Sequence, residues 1–237
     1  MALTGSEEVE IEKLASFERM RIFTSRAKRG AVTAPLGIAF LALVQAPYCD
    51  ATRILSWVCL MLVIEVGIYS AALAFDKRVN KANISFAVTS VPVMNLPFIN
   101  VPVMKLQVFM TLVAGLGWGS SVWFFYSGQE VAYTANLATL TAVAGISMLV
   151  MTPIRSALIL YSLGLVLPPI VQAYLLDHPA KNFVAGGLTV LFTVQISYGF
   201  QMLNELKQAM RSWVSNTKLI ENLARSEEAL REKNARL

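Results

Sequence analysis

The chain has 237 residues, of which 56% are hydrophobic and only 15% charged, with a mean hydropathy of +0.57. A soluble domain carries about 25% charge, so this composition points to a membrane protein. The net charge of +5 does not indicate nucleic-acid binding, because the basic residues flank apolar blocks as topology determinants do.

Residues 6–29 read as an amphipathic helix at the membrane interface. Ser6 is placed to cap it, with Glu7, Glu8, Glu10 and Glu12 near its positive end and Arg26, Lys28 and Arg29 near its negative end. No cleavable leader is visible, since the first thirty residues are polar and the first apolar block is long. Six spans are expected at 31–48, 54–75, 106–126, 131–152, 154–176 and 182–203. Of the 20 Lys and Arg residues, all but Arg53 and Lys181 then fall on one side, which predicts that both termini are cytoplasmic. Tyr48, Trp57, Trp123, Tyr126, Tyr133 and Tyr174 gather toward the opposite ends of their spans, as interfacial aromatics do.

Segment 82–104 is uncharged and nearly long enough to cross, but it holds Pro92, Pro97 and Pro102. Interior prolines damage a helix, and Lys105 leaves no room for a turn before the third span. The segment is therefore expected to be a cytoplasmic, interface-hugging loop, with the repeated VPVM (91–94 and 101–104) a local echo. The outer loops, 49–53, 127–130 and 177–181, are too short to fold into an extracellular domain. Any stimulus must be read within the bundle, at its outer mouth or from the lipid.

Glu65 is the one acidic or basic residue deep in a span. A carboxyl there is costly to ionise and faces other helices rather than lipid. It reads equally as a sensing or ligand group and as a neutral carboxyl bonded to a neighbouring helix. Asn136, Gln172 and Gln195 are the candidate polar partners. Gly115 and Gly119 of GLGWG share a helix face and suit close helix packing. Pro168-Pro169 should kink the fifth span. Cys49 and Cys59 have neither metal spacing nor a disulfide framework and read as two free thiols. His178 reads as a solvated loop residue. The sequence suggests no catalytic constellation, no cofactor-binding motif and no metal cluster.

From residue 204 the pattern changes to heptads. Leu206, Trp213, Ile220, Glu227 and Asn234 take the a positions, and Ala209, Asn216, Leu223, Leu230 and Leu237 take d. Glu221–Arg225, Glu227–Arg231 and Glu232–Arg236 are spaced as i,i+4 pairs. The expectation is an all-α, polytopic membrane bundle of six transmembrane helices followed by a cytoplasmic coiled-coil helix. Its parts are an N-terminal cytoplasmic segment (1–30), a membrane domain (31–203) and a signalling helix (204–237) that forms a parallel homodimer. The partners expected are the lipid bilayer, a second copy and a small apolar ligand, with no nucleic acid.

Four stretches, RAKRGA, ILSWVCLMLV, GLGWG and the exit LARSEEALREKNARL, carry a resemblance to the six-span N-terminal sensor regions of bacterial signalling proteins. Those families are diguanylate cyclases, often with a phosphodiesterase domain, and membrane histidine kinases. The resemblance covers nearly the whole chain and is hydropathic rather than catalytic, so it assigns no active-site residue. It implies a bacterial inner-membrane sensor and transmitter, a reading frame continuing beyond residue 237, and a cytoplasmic output module. A cyclase of the GGDEF type is favoured over a kinase. Two other readings stay open: a small transporter or channel using Glu65, and a scaffold whose coil binds a separate partner.

Overall fold

A computed structural model describes residues 5–81 and 101–235. Every regular element in these residues is helical: α1 (Gly5–Gln45), α2 (Ala51–Lys81), α3 (Val101–Gly119), the short α4 (Ser121–Phe124), α5 (Glu130–Met151), α6 (Arg155–Leu175) and α7 (Lys181–Ala235). Six helical stretches are long and apolar enough to cross a bilayer, so the chain is a polytopic helical membrane protein. Leu36, Phe40, Val63 and Phe183 are among the large apolar side chains left exposed on the outside of the bundle. In a bilayer, such side chains face acyl chains rather than water.

Two helices far exceed a bilayer. At about 1.5 Å per residue, the 41 residues of α1 extend roughly 60 Å and the 55 of α7 roughly 80 Å, against a hydrocarbon core of about 30 Å. In α1 the supposed interfacial helix and the first span are one rod. Ala15, Met20, Phe23 and Thr24 are buried, so residues 15–24 pack into the bundle rather than lying apart on a surface. No proline stands between residue 5 and Pro35, so nothing ends the helix where the first span was expected to begin. α7 likewise passes through residue 204 without a break.

The third span is interrupted instead. α3 stops at Gly119, Ser120 turns, and α4 completes the crossing. The Ser120 hydroxyl donates to the Gly117 carbonyl at 2.9 Å, and its N–H donates to that of Leu116 at 2.8 Å, so the ladder bends without losing its partners. Of the expected 82–104 loop, residues 82–100, including the first VPVM, lie outside the described residues. The second VPVM is the first turn of α3, where Pro102 costs little because first-turn N–H groups have no intrahelical acceptor.

The tightest seam joins α3 to α6. An ideal Cβ on Gly119 would sit 2.6 Å from the Gly164 carbonyl oxygen and 2.7 Å from that of Leu165. One on Gly115 would overlap the Tyr161 carbonyl oxygen. Gly164 answers from α6, where a Cβ would meet Leu116 N at 2.7 Å and Leu112 O at 2.8 Å. Three glycines thus let two backbones touch. α6 remains helical through Pro168 and Pro169. It ends with Asp177 in the left-handed region (φ 47°). The His178 N–H reaches the Ala173 carbonyl at 2.9 Å and the Asp177 N–H that of Tyr174 at 3.2 Å. This is a Schellman close, with aspartate where glycine is usual. His178 is half-buried there, its ring 4.9 Å from that of Tyr133.

Glu12 of α1 meets Arg211 of α7 at one end of the bundle. At that end Arg26 Nη1 donates to the Leu149 carbonyl at 2.6 Å, Lys28 pairs with Asp76 at 3.2 Å, and Arg155 lies 4.4 Å over the Phe200 ring.

Candidate functional site

Glu65 is 7% exposed and lines a cavity of about 350 Å³ between α1, α2, α3, α5 and α6. Most of the wall is apolar, formed by Phe23, Ala31, Ile68, Ala114 and Val143 among others. The remaining polar groups are largely occupied. The Thr111 hydroxyl donates to the Val108 carbonyl at 2.7 Å. Gln107 accepts from Thr24 at 3.2 Å and donates to the Ala71 carbonyl at 3.5 Å. The Ser147 hydroxyl donates to the Ala144 carbonyl at 2.9 Å. Glu65 makes no hydrogen bond or ion pair among the described residues, so its carboxyl is a polar group in this wall still free to bind.

The three amides proposed as its partners lie elsewhere. Asn136 accepts from the Ser121 hydroxyl at 2.9 Å. Gln172 donates to the Val122 carbonyl at 2.5 Å, and Gln195 to that of Ala144 at 3.1 Å. None lines the Glu65 cavity. Each finds its partner in a helix pair that excludes α2: α4 with α5, α4 with α6, and α5 with α7. The side-chain oxygens of Gln172 and Gln195 remain buried without a partner.

Several polar contacts were not foreseen. Gln45 donates to the Ala132 carbonyl at 3.0 Å, and Trp57 Nε1 to that of Gly117 at 3.0 Å. The fully buried Trp57 also meets Trp118 and Phe125 edge-on, at 5.6 and 5.0 Å. Cys49 and Cys59 are both free thiols. Among the described residues no cluster of His, Cys, Asp and Glu could hold a metal ion.

The second feature is the exposed half of α7. Leu203 and Val214 are buried and Met210 is half-buried. α1 packs against α7, and the contact includes Arg211 on Glu12 at 2.5 Å. Arg211, by hydrogen bond and charge, holds the Glu12 carboxyl below its usual range, helped by Arg19 and Lys207. The expected heptad face is a different one. Leu206 is half-buried, while Trp213, Ile220, Leu223, Leu230 and Asn234 are exposed. Leu237 lies outside the described residues. Of the three spaced ion pairs, Glu227–Arg231 closes at 2.7 Å.

No protein-family model matches the chain, and neither a curated protein nor a solved structure matches it.

Proposed function

We propose that this protein is the membrane sensor and transmitter region of a bacterial signal-transduction protein. Its stimulus is received in the bundle and passed through α7 to a cytoplasmic output module, with a diguanylate cyclase favoured over a histidine kinase. The choice of output follows the resemblance of the sequence. The relay rests on one observation: α7 is an unbroken helix from Lys181 to Ala235 whose apolar heptad residues from Trp213 to Leu230 are left uncovered by the chain itself. Ile220, Leu223 and Leu230 are each more than half exposed. A second copy laid parallel along this seam would cover them.

In this reading the bundle sits in the inner membrane with both termini cytoplasmic, as the distribution of Lys and Arg supports. Two bundle states separated by a few kcal/mol would differ in how α1 holds α7, and a ligand favouring one would shift the pairing of the coils. A transporter reading would need a polar path. The cavity at Glu65 offers a mostly apolar wall, which favours reception over permeation.

Single cysteines along α7, in a background with Cys49 and Cys59 replaced by serine, test the dimer in membranes. Crosslinking should be strong at 220, 223 and 230 and weak at 222 and 225, which face away from the seam. Crosslinking that is absent, or that lacks this phase, would remove the dimeric relay.

A further inference from the structure

We infer that the Glu65 cavity is a binding site for a small amphipath that enters sideways from the bilayer. The occupant has a short apolar tail and a head that donates a hydrogen bond to the Glu65 carboxyl.

The mouth is set by α1 and α5. The cavity wall includes Leu36, 76% exposed, and Ile146, 67% exposed, so it reaches the surface that lipid covers. Small residues at helical spacing on α1, Ala27, Gly30, Ala31, Ala34 and Gly37, keep that wall thin. At the mouth, a Cβ built on Gly30 would lie 3.9 Å from the Val150 side chain, so α1 and α5 stand apart there without a close backbone contact. An acyl-like tail in this gap meets mostly apolar side chains, with the Thr33 hydroxyl turned back onto the Arg29 and Gly30 carbonyls.

The inner end differs. Glu65 is buried, unpartnered and turned into the space, while Thr111, Gln107 and Ser147 each already donate to a backbone carbonyl. A buried polar group without a partner is costly. A hydroxyl, amide or amine head would supply that partner. The volume bounds the size: about 350 Å³, against roughly 30 Å³ per water in the liquid, holds roughly a dozen non-hydrogen atoms. That excludes a whole phospholipid and suits a chain of about ten carbons with one polar head. The volume lies near the lower end of ligand pockets, roughly 300–1,000 Å³.

α1 forms the cavity wall from Phe23 to Gly37, and the same rod grips α7 through Glu12. An occupant wedged between α1 and α5 therefore bears on the helix that holds the transmitter. This consequence rests on the relay reading, whereas the binding itself does not.

The test uses the full chain in phosphatidylcholine nanodiscs with 1-decanol bearing a tail diazirine, and the matching decane probe without the hydroxyl. Photolabelling should saturate, map to cavity residues of α1 and α5, and be competed by unlabelled decanol. The decane probe should need at least about tenfold higher concentration, a difference that corresponds to one hydrogen bond. Glu65→Leu should bring the two probes together. Gly30→Leu and Ala34→Phe, which fill the mouth at two separate points, should each abolish saturable labelling while circular dichroism stays unchanged. Labelling that never saturates, that spreads to lipid-facing Phe183 and Val190, or that survives both fillings would overturn the site. Saturable labelling alongside absent α7 crosslinks would keep the site and sink the relay. Phased crosslinks without labelling would do the reverse.

Discussion

The contact of α3 with α6 gives the sharpest quantitative prediction. In Gly164→Ala the new methyl would stand 2.7 Å from Leu116 N, 2.8 Å from Leu112 O and 3.0 Å from Gly115 C. All three are backbone atoms and cannot rotate away. Restoring an ordinary contact near 3.5 Å requires the helices to part by roughly 0.8 Å. A gap of that size forfeits about a quarter to a half of each pair's dispersion, itself about 0.1–0.2 kcal/mol. Summed along the seam the loss should be about 2 kcal/mol, the middle of the usual range of about 1–3 kcal/mol for overpacking. Two kcal/mol is roughly a thirtyfold shift in the folded fraction. Gly145→Ala is the control, because nothing lies within 4 Å of its Cβ and alanine favours the helix by up to about 1 kcal/mol. Unfolding in mixed SDS–maltoside micelles, followed by tryptophan fluorescence, should show Gly164→Ala unfolding at clearly lower SDS and Gly145→Ala at equal or higher SDS. If Gly164→Ala falls within about 0.5 kcal/mol of the parent, or both alanines lose the same amount, the close-approach argument fails.

Two further outcomes are expected. The Glu12 carboxyl is held below its ordinary value of 4.5 by Arg211, so the clasp it makes is intact above that value and is lost as pH falls through the lower, folded-state pKa. The pair is exposed, so its worth is on the order of 0.5 kcal/mol. Spin labels at exposed Ser16 and Gln208 should show the separated population rising about twofold as pH falls through that lowered pKa, and the same rise in Glu12→Gln at pH 7; a distance distribution indifferent to both would refute the clasp. Gln172→Met should cost less than about 1 kcal/mol in the same SDS assay, because it gives up one interhelical hydrogen bond but also removes the orphaned side-chain oxygen. A loss above about 2 kcal/mol would show that oxygen to be satisfied.

The sequence carried the membrane class and the six crossings, because both follow from uninterrupted apolar runs. It also singled out Glu65, since one carboxyl in an otherwise uncharged span needs no structure to be seen. The surroundings of Glu65 were not legible. They depend on how far α1 stands from α5, and hydropathy is silent on interhelical distance. The polar amides illustrate the same limit. Asn136, Gln172 and Gln195 were visible as polar residues in spans, but each had several carbonyls within reach of its helix, and only packing chose among them. In the glycine seam, GLGWG announces one half and Gly164 does not announce the other, because a lone glycine in LYSLGLVL has no partner four residues away to mark a face. Residues 6–29 were set apart from the first span because their charges look interfacial, yet Thr24 and Phe23 are buried. Charge pattern fixed what that helix carries and not what it packs against.

The two stripes on α7 decide whether the clasp by α1 helps or hinders the proposed pairing. Leu203 and Met210 hold heptad e positions and Val214 a b position, whereas the free seam runs through a and d. With 3.6 residues per turn these faces lie about 100° apart around the helix. If α1 covered the a/d face, a second copy would have to displace it, and the clasp would oppose dimerisation. Because the faces are offset, α1 and a partner helix can hold α7 at once. In the proposed relay, movement of α1 would change the rotation at which α7 presents Trp213, Ile220 and Leu223, all of which lie clear of the clasp. Beyond Val214 the described side chains of α7 are exposed or, at Thr217, half-buried. Any rotation set at the clasp therefore meets no further resistance from its own chain before it reaches the seam.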